Sequence, residues 1–580
     1  MEYIKFYRYF LPFWKKEALV LFLNSINMGI GLLGPYMAKL MIDKAYGKKD
    51  LKLFIILVAV GGFMFILSSV INGVSGYLNM QIKFRISFDF NRKVFRKLQE
   101  LPYSFFQDSS TGEHIYRISY DVQQFVQFIT GALPRVITLI PRSILVVVIA
   151  LFLNWKMTSV VLVLTPFLYL ITVYFTKKRK KVLETWVKNS QVIFNRLQEV
   201  MTHMQLVKAF GKERRELRYY IKSLIKNLRV NFENIRLEIK GSFASSLTNR
   251  IILGSIGIYG GYQLIKGNLS LGSLTAIMMY LNQLSGLQVS LANFFQQGSL
   301  VMVSYNRLET ILAAQPEVAE CQQAEEIIFP ENSIEFRNLT FTYKVPSTAI
   351  PPLERETKAV LSNLNFSIAS GACVGLVGSS GCGKTTIINL LLRLYQPQSG
   401  EILVGGRNIN TIKSQAFYSQ IGVVLQEPFL FDDSLENNIR YGQEDADLRA
   451  IEEAAAVACI DDFINSLPQG YATRIGENAC KISEGQKQRL SIARAVVKKP
   501  KILILDEALS SVDVEIEERI LANIRKALKG STIIIISHRL STINKLDLIY
   551  FLQGPQKIDI AEHRSLLAQN RSYQDYLACR

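Results

Sequence analysis

The sequence predicts two fused folds: an all-α membrane domain of six transmembrane helices, followed by a cytoplasmic α/β domain of the P-loop type. Three observations predict this. Six long apolar stretches crowd the first half of the 580-residue chain. Near residue 310 the pattern turns to short Val/Ile/Leu runs between polar helical segments. One of those runs leads directly into GSSGCGKTT. The expected division is 1–312 for the membrane domain, 313–332 for a linker and 333–580 for the α/β domain.

The apolar stretches are 18–42, 53–78, 135–154, 158–176, 242–265 and 271–294. Each is near the ~20 residues that cross a hydrocarbon core of ~30 Å. Mean hydropathy is +0.17 and 49% of residues are hydrophobic, which excludes a disordered or collagen-like chain. Basic residues set the orientation. Lys83, Arg85, Arg92, Lys93, Arg96 and Lys97 follow the second stretch, and Lys177, Lys178, Arg179, Lys180 and Lys181 follow the fourth. The connection between the fifth and sixth offers only Lys266. The second and fourth connections and both chain ends of this multi-pass protein are therefore expected in the cytoplasm. Lys48, Lys49 and Lys52 in the first connection fit less well. These loops account for most of the net charge of +19, so no nucleic-acid partner is expected. The opening MEYIKFYRYFLPFWKK reads as an interfacial helix, not a cleavable signal. The long connections have helical composition, so the membrane helices are expected to continue into the cytoplasm.

The second half carries phosphate chemistry. IEFRNLTFTY alternates as a half-buried strand does, VLSNLNFSI follows, and ACVGLV reads as a strand buried on both faces. It enters Gly378-Ser379-Ser380-Gly381-Cys382-Gly383-Lys384-Thr385-Thr386 and then the helical IINLLLRLY. This is the P-loop in strand–loop–helix context, and it makes the domain nucleotide-binding. Glycines let backbone N–H groups approach phosphate oxygens, and the helix that follows presents its positive end. Lys384 reaches phosphate, and the Thr385 hydroxyl suits Mg²⁺. KILILDE reads as a second buried strand ending in Asp506, suited to the Mg²⁺ shell, and Glu507, suited to orienting and deprotonating water. STIIIISHRL supplies a third, ending at His538, a candidate γ-phosphate sensor.

Taken in order, FTY at Tyr343, GSSGCGKTT, VVLQEPFLF with Gln426, ISEGQKQRLSIARA, ILILDE, ALSSVD with Asp513, and His538 resemble the ATP-binding cassette (ABC) transporters. The resemblance covers nearly the whole chain. It is nearest the fused half-transporter exporters that include lipid A flippases and multidrug exporters. Segments 101–122 and 198–213 resemble the two cytoplasmic coupling segments of that group, and GNLSLGSLTA is typical of its approach to the sixth span. The resemblance implies a type I exporter fold, ATP and Mg²⁺ as cofactors, and a second half-transporter as partner. It also implies ATP hydrolysis coupled to movement of a hydrophobic or amphipathic substrate. Tyr343 would stack on adenine. Gln426 would touch Mg²⁺ and the attacking water. Ser483, Gly485 and Gln486 would close over the γ-phosphate held by the opposite subunit, and Asp513 would lie between the two sites.

The sequence departs from the family in the signature. Glu484 stands where a glycine is usual, Ala479 replaces a further glycine, and Ser511-Val512-Asp513 replaces Ala-Leu-Asp. The segment 345–360 is longer than usual and is expected to be an exposed loop. Glu484 either repels phosphate or points into solvent. A homodimer, a heterodimer with one degenerate site, and a nucleotide-gated regulator that does not pump all remain open. Asn24, Asn27, Lys39, Arg135, Arg142, Arg250, Asn282 and Gln283 lie in or near the spans. Arginines facing a cavity would favour an anionic lipid over a drug or peptide. All six cysteines fall in the second half, scattered too widely for a metal site.

Overall fold

The computed structural model describes residues 6, 9, 11–107, 111–314, 328–329, 331–343, 359–476 and 482–578. The chain forms two compact units, Met1–Glu100 with Ser109–Ala314, and Leu101–Asp108 with Gln315–Arg580. Most of the expected linker, residues 345–358 of the expected loop and Ala479 lie outside the described residues.

The first unit is helical. Its main helices are α1 (Trp14–Leu40), α2 (Leu51–Glu100), α3 (Leu133–Leu153), α4 (Trp155–Thr202), α5 (Glu213–Ile265) and α6 (Leu271–Ala313). The six apolar stretches fall mainly on these helices. Helix α2 has 50 residues, α4 has 48 and α5 has 53. At 1.5 Å per residue such helices run well beyond a ~30 Å core. The helical composition of the connections is therefore realised as extensions of the apolar helices. Short helices, Tyr103–Gln107 and Met204–Ala209, lie in the two segments that resemble coupling elements.

Local chemistry sets the ends of the helices. Asn154 caps α4 by accepting from the Met157 N–H at 3.1 Å, and Ser270 caps α6 by accepting from the Ser273 N–H at 3.1 Å. Asp43 reinforces the second cap, accepting from the Ser270 hydroxyl at 2.6 Å and from the Gly272 N–H at 2.9 Å. Among the described residues, Leu11–Tyr46, Leu51–Glu100 and His114–Leu153 are long and apolar enough to cross a membrane. Their most apolar windows are only 17%, 6% and 11% buried, so apolar surface faces outward on a scale that water does not tolerate. Of the polar span residues, Asn27 donates to Asn72 at 2.8 Å, and Arg142 reaches the Gln283 oxygen at 3.5 Å. Both contacts join helices. Half of the opening segment lies outside the described residues, but Phe6 is buried edge-on against Phe125 and Tyr305. Phe125 in turn packs against Phe90 and Tyr305, so Phe6 joins an aromatic cluster.

The second unit holds two sheets. The smaller joins β1 (Ile334–Phe341), β2 (Leu361–Ile368), β4 (Ser399–Val404) and β5 (Arg407–Asn408), antiparallel in the order β2-β1-β4-β5. The larger joins β3 (Cys373–Gly378), β6 (Ile421–Val424), β7 (Ile502–Asp506), β8 (Thr532–Ile536), β9 (Leu548–Leu552) and β10 (Ile558–Ala561) in the order β10-β9-β3-β8-β7-β6. All its pairings are parallel except β9–β10 at the edge. Every residue of β3, β7 and β8 is buried, as a parallel sheet covered on both faces requires. The Tyr103 ring, on the short helix after Leu101, lies edge-on to Tyr395, 6.1 Å between centroids, within this unit.

Candidate nucleotide site

Parallel pairing puts the carboxyl ends of β3, β7 and β8 at one edge of the sheet, where such folds bind ligands. Gly378, Asp506 and Ile536 close these strands, so the loops after them converge.

The phosphate loop leads into α7 (Lys384–Leu391), with Gly383 at its N-cap in a left-handed conformation, φ +106°. A side chain there would put its Cβ 2.8 Å from Leu361. Lys384 is buried and turned onto its own loop, donating to the Gly378 and Ser379 carbonyls at 2.9 and 3.0 Å. Its Nζ also lies 3.9 Å from Cys382 Sγ. Ser379, Ser380, Gly381 and Thr385 are exposed, whereas Cys382 and Thr386 are buried. The Tyr343 hydroxyl pairs with Thr386 Oγ1 at 3.1 Å, and its ring lies edge-on to Phe341 and Tyr395.

Glu507 follows β7 with φ +49°, a strained backbone position for a residue with a side chain. Two side chains hold its carboxylate. Gln426 Nε2 donates to Oε2 at 3.0 Å, and His538 Nε2 stands 3.2 Å from Oε1. His538 Nδ1 pairs with the Tyr576 hydroxyl at 2.9 Å. Asp506 is buried, and its carboxyl is pushed up to about 6, first by burial and then by Glu507, with Lys384 opposing. It is an acid short of positive charge, which fits a divalent cation.

The signature stands at the start of α8 (Glu484–Val496). Ser483 and Gln486 cap each other's backbone: the Gln486 N–H donates to Ser483 Oγ at 3.3 Å, and the Ser483 N–H donates to Gln486 Oε1 at 2.8 Å. Gly485 lies against the loop after β7, where a Cβ would be 2.7 Å from the Ser511 carbonyl oxygen. Glu484 is exposed, 3.3 Å from Lys487 Nζ. Asp513 precedes α9 (Val514–Ala527) as its N-cap and is exposed.

Lys384, Gln426, Asp506, Glu507 and His538 thus form one cluster. Ser483, Gly485, Gln486 and Asp513 gather at the far end of the loop after β7. Sequence reading missed two residues that join these groups. Gln488, 2% exposed, donates to Ser510 Oγ and accepts from the Ser511 N–H, both at 2.9 Å. Arg539 donates to the Val512 and Ser510 carbonyls and to Glu517. Their only sequence signal is adjacency to motifs, on the signature helix and after His538.

Comparison with known proteins gives the family. Residues 18–288 match the ABC transporter transmembrane region, and residues 361–510 match the ABC transporter family. The ATP-dependent lipid A-core flippase of Syntrophus aciditrophicus is 32% identical over 84% of this chain and 79% of its own length. A putative multidrug export ATP-binding/permease protein of Bacillus subtilis is 28% identical over 99% of this chain and 98% of its own. A bacterial Atm1-family ABC exporter solved with ATP bound superposes with a TM-score of 0.88 at 25% identity, covering 97% and 98% of the two chains.

The chain belongs to the ABC transporters, as a fused half-transporter of exporter type. It is an ATP-binding membrane protein that couples ATP hydrolysis to export.

Proposed function

We propose that two half-transporters of this kind form a dimer that exports or flips a hydrophobic or amphipathic substrate, a lipid in preference to a drug or peptide, by alternating access. The hydrogen-bonded chain Gln426–Glu507–His538 beside the P-loop carries the reading. It presents a fixed carboxylate at the sheet edge that also holds Lys384 and Asp506.

Each ATP is held by one chain's P-loop and the other's Ser483, Gly485 and Gln486. Tyr343 stacks on adenine, and the Gly378–Thr386 backbone and Lys384 receive the phosphates. Thr385, Gln426 and Asp506 would hold Mg²⁺, which would supply neutralisation of the phosphate charge. The Glu507 carboxylate takes a proton from the attacking water as the bond to the γ-phosphorus forms and the bond to the β-phosphate oxygen breaks. Gln426 and His538 keep that carboxylate oriented, each occupying one oxygen and leaving lone pairs for the water. Asp513 lies between the two sites. With six spans, the ATPase domains lie in the cytoplasm beneath the inner (plasma) membrane, and segments 101–122 and 198–213 pass their closure to the membrane helices. The arginines in or near the spans, Arg135, Arg142 and Arg250, are the sequence feature that favours an anionic amphiphile.

Reconstitution into proteoliposomes with a panel of fluorescent lipids, dyes and peptides tests this reading. We expect Mg²⁺-ATP to drive movement of a lipid and Lys384→Ala to abolish it. Movement that persists in the variant overturns the reading. Mass measurement of the intact complex in detergent distinguishes a homodimer from a heterodimer.

A further inference from the structure

One buried ion pair in the membrane half serves none of the nucleotide chemistry. Asp121, 0% exposed, accepts from the Ser304 hydroxyl at 2.7 Å, and its other oxygen faces Arg307 Nη1 at 3.6 Å. Those last two atoms are buried, and neither has a hydrogen-bond partner among the described residues. A buried charge pair with imperfect geometry contributes little to stability compared with apolar packing. Its better-attested use is to fix register between elements.

The elements it joins are specific. Asp121 ends a π-helical turn, Arg117–Asp121, and a second π turn, Phe128–Ala132, follows after only six residues of α-helix, Val122–Gln127. Wide turns of this kind interrupt the regular ladder and recur at functional positions. Ser304 and Arg307 lie near the end of α6. The same face repeats the contact apolarly: Phe125 meets Tyr305 at 5.3 Å and Phe128 stacks on Phe294 at 5.3 Å.

Chain connectivity gives the junction its meaning. The chain leaves the second unit at Asp108 and returns at Ser109, just ahead of the first π turn. It enters that unit for good at Gln315, directly after α6. The Asp121 junction therefore ties together the two helical routes that these covalent crossings feed.

We propose that Asp121, held by Ser304 and Arg307, is a positioning residue for coupling. It makes the end of α6 and the helix leading to α3 move together, so a nucleotide-driven displacement of one is imposed on the other. The π turns are where the second route yields. The inference rests on ATP-driven export, not on the proposed substrate or roles at the nucleotide site.

Hydrogen–deuterium exchange on the full-length protein in lipid nanodiscs tests it, comparing the nucleotide-free state with Mg²⁺ and a non-hydrolysable ATP analogue. In the parent protein we expect peptides from 111–132 and 295–313 to change together. In Asp121→Asn and Arg307→Gln the response of 295–313 persists, while that of 111–132 falls by about fivefold or more. The double variant is no worse than either single, and Arg307→Lys restores the paired response. Fluorescent-nucleotide binding, measured alongside, separates loss of coupling from loss of ATP binding. If Asp121→Asn fails to fold, Ser304→Ala and Arg307→Gln supply the reading. A parent-like response of 111–132 in the charge-removing variants overturns the proposal, as does the absence of any paired response in a parent protein that binds the analogue.

Discussion

Nε2 of His538 stands 3.2 Å from Oε1 of Glu507, and the Tyr576 hydroxyl pairs with the other ring nitrogen at 2.9 Å. With Tyr576 donating to Nδ1, the proton sits on Nε2 and points at the carboxylate. Glu507 is thereby aimed while its backbone holds an unfavourable φ of +49°.

Glu507→Gln keeps the shape of the side chain and removes its basicity. We expect phosphate release to fall by ~10²–10⁴-fold while fluorescent-ATP binding persists. His538→Ala, which acts through Glu507, is expected to cost less. Near-parental turnover in Glu507→Gln would remove Glu507 as the base.

Cys382 is 8% exposed and its Sγ lies 3.9 Å from the Lys384 ammonium. Burial pushes the thiols of Cys373 and Cys459 upward, so they offer little thiolate at neutral pH. Alkylation with N-ethylmaleimide is expected at Cys382 among these three. The adduct has no room in the loop, where even a Cβ on Gly378 would lie 2.8 Å from Cys382 Sγ. ATPase activity should be lost, ATP should protect, and Cys382→Ser should not respond to the reagent. Full activity after mass spectrometry confirms the adduct would contradict this.

What was legible in the sequence is what is local in the chain. The P-loop, the buried run of β3 and the acids ending β7 are each contiguous, so one window contains the whole signal. The long apolar helices were legible because burial and length leave a compositional trace. Pairings across the sheet were not. The carboxylate held by Gln426 and His538 depends on β7 lying beside both β6 and β8, a register that no single window encodes. Gln488 was invisible for the same reason: its partners, Ser510 and Ser511, sit on another loop. In the membrane half, 135–154 reads as one span. It gives no hint that the helical path before it holds two π turns that pack against α6.

Glu484 is 55% exposed and paired to Lys487 across one turn of α8. Such an exposed pair is worth only ~0–1 kcal/mol, so the carboxylate is free to follow the local field. A negative charge in a first helical turn satisfies the helix dipole that a phosphate would otherwise use. In a homodimer, Glu484→Gly is expected to raise kcat/KM for ATP by ~2–5-fold, the equivalent of the dipole contribution. In a heterodimer that hydrolyses ATP only against the partner's signature, turnover should stay the same. No change in a verified homodimer would mean that Glu484 points into solvent and does nothing more.

His563 connects acidity to the same cluster. Its Nδ1 pairs with the Tyr573 hydroxyl at 2.8 Å, and burial, followed by Arg564, holds its pKa below the usual 6.5. Tyr573 is fully buried and pushed up to about 12, so it stays neutral and donates. A histidine with a depressed folded pKa takes its proton first in the unfolded chain. Its contribution is therefore complete above pH ~6.5 and is lost as pH falls toward the folded value. Helix Arg571–Ala578 carries both Tyr573 and Tyr576, so loosening it also frees His538. We expect the melting temperature of the ATPase domain to hold steady from pH 8 to ~6.5 and to drop below that, with turnover declining over the same window. His563→Gln should flatten the melting profile because its amide does not titrate. An equal pH slope in parent and variant would remove His563 as the source.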